Sequence, residues 1–209
     1  MALLGPVFFL TLLLASSSHG QRQRRPPAPE GPIETVKIQE NFNLHQLAGK
    51  WFLVGVASKC DYLREFNHQL EATSIVASIP DGKTLAISTF RRLDGICWNI
   101  KQQYNPTKTT GRFLLKGRGY GGNVDVVVGE TDYNSYAILY YQKRRKISIK
   151  LYGRNIRVSD AVISKFEQHV TDMNMNEDLT YYFPTYGFCD SADEFHILDG
   201  KLQTLGPLL

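Results

Sequence analysis

The sequence predicts an all-β domain, a barrel or sandwich of eight short antiparallel strands followed by one C-terminal helix. Apolar and β-branched runs recur at nearly even spacing between residues 51 and 152, and the breaks between them hold turn residues. A 3.6-residue period replaces this pattern only once, after the eighth run.

The first run, Trp51 to Ala57, sets small residues at 55 and 57 among bulky ones, as expected of a strand bending around a closed barrel. It follows Asn41 to Ala48, a short helical turn that breaks at Gly49. The next runs are Ala72 to Ile79, Thr84 to Arg91, Ile96 to Tyr104 and Arg112 to Lys116. Asn123 to Glu130, Tyr136 to Gln142 and Ile147 to Tyr152 complete the set. Pro80-Asp81-Gly82 and Leu93-Asp94-Gly95 offer left-handed positions for tight hairpins, and 143–146 is a charged turn. The connection from Ser58 to Leu70 is too long for a simple hairpin, and it contains Cys60.

Residues 158–170 place Val162, Ile163, Phe166 and Val170 on one helical stripe, with Ser159 or Asp160 available as a cap. Tyr181-Tyr182-Phe183 then reads as a short returning strand that leads to Cys189, and residues 191–209 as a loose tail. The barrel and helix together occupy 41–190.

The first twenty residues read as a secretory signal peptide. Val7 to Ala15 is an apolar run too short to span a bilayer, and Ser18-His19-Gly20 supplies a small-x-small cleavage pattern. Residues 21–40 read as a basic, proline-rich arm, and its first part, Gln21 to Pro32, has almost nothing to bury. Arg22-x-Arg24-Arg25 resembles a proprotein-convertase site. The chain is then the size of one domain, able to bury about 70% of its unfolded surface.

A net charge of +4, much of it in local clusters, gives no mandate for nucleic acid. No second apolar run reaches membrane-spanning length, and without an amphipathic basic helix or insertion hairpin no direct membrane insertion is expected. The sequence holds no Asn-x-Ser or Asn-x-Thr acceptor. His45, His68, His169 and His196 show no metal spacing, so neither metal nor cofactor is expected. Gly117-x-Gly119-x-x-Gly122 fits a dinucleotide pattern, yet a strand follows where a helix is needed, so the stretch reads as a hairpin turn. Three cysteines leave one unpaired, and in an oxidising compartment such a thiol is either buried or joined to another chain.

Gly49-x-Trp51, with Asn41-Phe42 upstream, resembles the first signature of the lipocalins. Thr131-Asp132-Tyr133 before the seventh strand resembles the second, and Arg154 after the eighth the third. The resemblance implies an eight-stranded up-and-down calyx whose closed end is capped by the arginine packing over the tryptophan. It makes Gly49, Trp51, Thr131, Asp132, Tyr133 and Arg154 structural rather than catalytic.

A closer resemblance, from about 42 to 198, rests on 88–98, 111–115 and 182–189. It is to a branch of the family whose members are non-catalytic subunits of a secreted pore-forming assembly. It implies a bridge between Cys97 and Cys189 and a mixed disulfide from Cys60 to a partner chain. Asp61, Tyr62, Leu63, Arg64, Glu65 and Phe66 surround Cys60 and become candidates for the partner contact. The plain alternative is a lid loop over the barrel mouth.

Catalysis by a relative in this family uses a thiol on the second strand, and Thr73 stands at that position. The competing functional class is a free carrier of a small apolar molecule, because barrels of this size often hold one. Strand parity does not identify the pocket, since Val124, Val126 and Val128 alternate with a set that also contains Val127.

Overall fold

A computed structural model describes residues 31–117 and 122–197. Residues 1–30 and 198–209, and with them the expected signal peptide and the basic cluster, lie outside the described residues, as do residues 118–121 of the glycine-rich stretch.

Eight antiparallel strands close into an up-and-down barrel. They are β1 (Gly49–Ser58), β2 (Thr73–Ser78), β3 (Leu85–Leu93), β4 (Ile96–Pro106), β5 (Arg112–Leu115), β6 (Val124–Thr131), β7 (Tyr136–Lys143) and β8 (Lys146–Gly153). Each pairs with its neighbour in sequence, and β8 returns to pair with β1 from Phe52 to Ser58. Between β1 and β2 runs a short helix, α1 (Asp61–Phe66). A longer helix, α2 (Asp160–Asp172), follows β8. Ser159 takes its N-cap position with no side-chain cap bond, so only Asp160 in the first turn complements the helix end.

Two further short strands complete the sheet. β9 (Thr180–Tyr182) pairs with β1 at Gly55, Val56 and Ala57, beyond the point where β2 leaves it. β10 (Glu194–Ile197) runs parallel to β4 opposite Trp98 to Lys101. This edge of β4 is open because β5 pairs only with Tyr104, Asn105 and Pro106. Residues 194–197, read from sequence as loose tail, are therefore a strand.

The segment after Gly31 also differs from the arm expected through residue 40. Pro32–Thr35 form a 3-10 turn, Ile33 is buried, and its N–H donates to Gln142 Oε1 at 2.8 Å. Gln39 N–H donates to the carbonyl of Val128 at 2.9 Å. Ile33, Val36 and Ile38 all meet the outer apolar cluster, but their spacing of three and then two fits no single helix or strand period that would reveal them as core.

The apolar residues form two clusters on opposite faces of one wall. Inside the barrel lie Trp51, Leu53, Ile75, Ile87, Phe113, Val126, Val128 and Leu139. Outside it, Val127, Ile138, Ile147, Ile149 and Leu151 pack under Val162, Phe166 and Val170 of α2. Strands β6 to β8 are thus covered on both faces, which is why Val126, Val127 and Val128 are all buried. Where Phe166 and Tyr182 approach β1, Gly55 makes the contact possible, since a Cβ there would meet both rings at 3.2–3.3 Å.

Candidate functional site

At the closed end, the Arg154 guanidinium stands 3.7 Å above the Trp51 ring. It donates to four backbone carbonyls, those of Gln46, Ala48, Lys50 and Tyr133, at 2.8–3.2 Å. The Trp51 Nε1–H donates to the Leu47 carbonyl at 2.8 Å, so the buried indole leaves no orphaned donor. Gly49 adopts φ +104 with an Arg154 nitrogen 3.0 Å from where a Cβ would stand. Only glycine takes that backbone geometry without strain.

The 131–136 turn braces the same end. Thr131 Oγ1 donates to the Tyr136 carbonyl at 2.6 Å and accepts from Tyr133 N–H at 2.9 Å. Asp132 accepts from the amides of Asn134, Ser135 and Tyr136. Burial raises its pKa, but these bonds and that from the Ser135 hydroxyl outweigh it and hold the carboxyl below its ordinary value. Tyr133 OH accepts from Asn43 N–H at 2.8 Å, tying the turn to the segment ahead of β1. All six residues of the signature therefore meet at one end, with every polar group engaged in scaffold bonds.

The opposite end is open. A cavity of about 620 Å³ is lined by Leu53, Val56, Ile75 and Ile87 below and by Leu63, Phe66 and Phe183 at the rim. Beneath it, at the level of Trp51 and Leu47, only about 20 Å³ remains, so the indole closes the floor.

Polar groups that sequence reasoning did not find also line the cavity. Lys150, Arg91, Tyr104 and Tyr152 project into it, and the hydroxyls of Tyr141 and Tyr152 lie 3.3 Å apart. Burial pushes the Tyr104 hydroxyl up to about 12, despite an opposing hydrogen bond with Tyr141, and raises Tyr141 and Tyr152 as well. These phenols stay protonated at neutral pH and act as donors. Burial first, and then the charge of Arg91, lowers Lys150 to about 8. Thr73 lines the same space, with its hydroxyl donated to the Glu71 carbonyl at 2.9 Å.

Cys60 stands at this open end, just ahead of α1, as a free and partly exposed thiol. Its N–H donates to Ser58 Oγ at 3.1 Å, and that hydroxyl meets Ser148 Oγ on β8 at 2.6 Å. Asp61 pairs with Lys146 of β8 and, at 3.5 Å, with Arg64. The backbone carrying the thiol is thereby fixed against the barrel wall while the residue stays partly exposed.

The residues after Cys60 divide by direction. Leu63 and Phe66 line the cavity, whereas Asp61, Arg64 and Glu65 face solvent; the side chain of Tyr62 lies outside the described set. One short helix thus carries an exposed polar face and a face that lines the cavity.

Cys97 and Cys189 are bridged, with Cα atoms 5.7 Å apart and both residues buried. The cross-link spans 92 positions and is worth on the order of 4–5 kcal/mol in the chain-entropy view. Beside it, Asp193 accepts from Cys97 N–H at 2.9 Å and donates its own N–H back to the Cys97 carbonyl at 2.7 Å.

Among the described residues no His, Cys, Asp and Glu cluster is arranged to hold a metal ion, and no helix is long and apolar enough to cross a membrane.

Comparison with known proteins agrees with this anatomy. The family described as lipocalin / cytosolic fatty-acid binding protein matches residues 48–185. The rabbit (Oryctolagus cuniculus) complement component C8 gamma chain is 46% identical over 199 residues, covering 95% of this chain and 98% of the rabbit one. Bovine (Bos taurus) protein AMBP is 28% identical over 77% of this chain, which spans 47% of AMBP. A toad (Rhinella marina) lipocalin is 28% identical over 75% of this chain and 87% of its own. Among solved structures, the siderocalin Ex-FABP, which functions through dual ligand specificities, superposes with a TM-score of 0.60 at 21% identity. It covers 68% of this chain and 96% of its own, and that likeness concerns the fold alone.

Proposed function

The chain belongs to the lipocalin / cytosolic fatty-acid binding protein family, and from that premise we propose that it is a secreted, non-catalytic subunit of the eighth complement component. In this reading Cys60 forms a mixed disulfide with the alpha chain, and through it the protein joins the beta chain and the membrane attack complex. Residues 1–20 are the signal peptide removed on export.

One observation carries the attachment. The thiol outside the Cys97–Cys189 bridge belongs to a partly exposed residue just ahead of α1, on a backbone braced by Ser58, rather than to one buried in the core. A shielded third cysteine would have favoured a protein that acts alone. The flanking surface of α1, with Asp61, Arg64 and Glu65 exposed and Leu63 and Phe66 at the rim, supplies polar and apolar contacts for the noncovalent part of the interface.

A second reading rests on the cavity itself. A space of about 620 Å³, lined by Leu53, Ile75 and Ile87 together with polar groups, falls in the range that holds one small ligand, so a free extracellular carrier of a small hydrophobic molecule is the alternative. The two readings are compatible if a segment of the partner occupies the mouth.

A two-dimensional gel of the plasma protein, non-reducing then reducing, separates them. In the subunit reading the chain leaves the diagonal from a larger species, and mass spectrometry finds the Cys60 peptide cross-linked to a second polypeptide. Migration as a monomer, with Cys60 free or capped by a small thiol, removes the attachment mechanism and leaves the carrier.

A further inference from the structure

The cavity wall carries an amine that the proposed attachment does not use. On β8 the side chains of Ile149 and Leu151 are wholly buried beneath α2. Strand alternation therefore turns Lys150 the other way, into the barrel beside Tyr152, and both line the cavity. Among the described residues no carboxylate forms an ion pair with Lys150. Its Nζ instead lies 4.4 Å from the centre of the Tyr141 ring.

A lysine is normally kept inert at neutral pH by its proton, which water and carboxylates stabilise. An amine that is desolvated, set beside another cation and denied a counter-ion holds that proton weakly; this is the environment of imine-forming lysines. Here burial first and then the charge of Arg91 act in that direction and lower the amine to about 8. That leaves on the order of a hundredfold more free amine near neutral pH than an ordinary lysine carries.

We propose that Lys150 captures apolar, unhindered aldehydes inside the barrel as a reversible imine. The Nζ lone pair attacks the carbonyl carbon, the π pair moves to oxygen, and the proton lost by nitrogen ends on that oxygen to give a carbinolamine. The nitrogen lone pair then forms the C=N bond as the hydroxyl departs with one further proton, so that one aldehyde and one amine give one imine and one water, with no change of oxidation state. The phenol of Tyr152, held in its acid form, lines the same cavity as Lys150 and supplies a proton to the departing oxygen. The hydrocarbon chain of the aldehyde lies against Leu53, Ile75 and Ile87.

The test uses the full secreted chain with decanal and cyanoborohydride, which fixes an imine as a secondary amine, followed by peptide mapping over time. Lys150 should be alkylated about tenfold faster than exposed lysines such as Lys83 and Lys143. That preference should be larger with decanal than with propanal, which has too little chain to use the apolar walls. The Lys150→Arg chain, which keeps the charge without an available amine, should retain only the slow surface labelling; if it does not fold, the wild-type map still decides. A Lys150 label that appears no faster than that of Lys83, or a preference no greater with decanal than with propanal, overturns the proposal.

Discussion

The guanidinium of Arg154 lies 3.7 Å above the indole of Trp51, and the same group donates to four carbonyls from two separate chain segments. One side chain thus seals the barrel floor and fixes the approach to β1. Arg154→Ala should cost about 2–4 kcal/mol in urea unfolding, with the denaturant slope unchanged. Arg154→Lys should recover only a small part of this, because an ammonium lacks the planar fork that reaches several carbonyls while stacking on the ring.

Cys60→Ser should leave stability within about 0.5 kcal/mol of the parent, since the cysteine side chain is partly exposed and its amide bond to Ser58 remains. It should abolish the larger species on a non-reducing gel. Denaturation and electrophoresis of the same preparation check both statements, and a folded variant that still forms the larger species would exclude Cys60 as the link.

Phe166 is wholly buried between α2 and the barrel, with Gly55 beneath it. Phe166→Ala should destabilise by about 3–5 kcal/mol through lost burial and an unfilled cavity. Calorimetry should show a lower midpoint, while the thiol titre of Cys60 stays unchanged.

Glu130 links α2 to the barrel wall, meeting Lys165, Tyr136 and His169, and His169 in turn meets the Tyr140 hydroxyl at 2.6 Å. Burial raises the Glu130 pKa, but the hydrogen bonds from Lys165, Tyr136 and His169 outweigh it and hold the group at about 2. Because the folded value is depressed, its stabilisation is complete above the unfolded carboxylate value and is lost as pH falls from about 4.5 to about 2. With partial exposure this amounts to on the order of 1–2 kcal/mol. Stability measured against pH should lose that acid-side slope in Glu130→Gln.

Strand positions were legible because their signals are local: Asp94-Gly95 takes positive φ at both residues, as its hairpin requires. The closed end was legible for a different reason, since Gly49, Trp51, Asp132 and Arg154 each stand at a fixed place relative to a strand. The cavity lining was not, because β8 is buried on both faces. In Lys146-Ile147-Ser148-Ile149-Lys150-Leu151, a one-sided sheet would put the isoleucines inside and the lysines in water. The isoleucines instead lie outside the barrel under α2, and Lys150 points inward. Nothing in the strand itself says which of its faces the helix will cover. The strand at 194–197 was hidden for want of length, and its place depends on an edge of β4 that only the assembled barrel leaves open.

After α2 the chain pairs β9 with β1, sets Phe188 against Phe52 at 5.1 Å, bridges Cys189 to Cys97 and ends its described course paired with β4. It passes from the first strand to the fourth without pairing with the two between. That path works as a hoop on a cask: the β2–β3 hairpin, which carries Thr73, Ile75, Ile87 and Arg91 of the cavity wall, is held from both flanks by a band riveted at one sulfur pair. Strands early in the chain are therefore tied together by a segment far downstream of them.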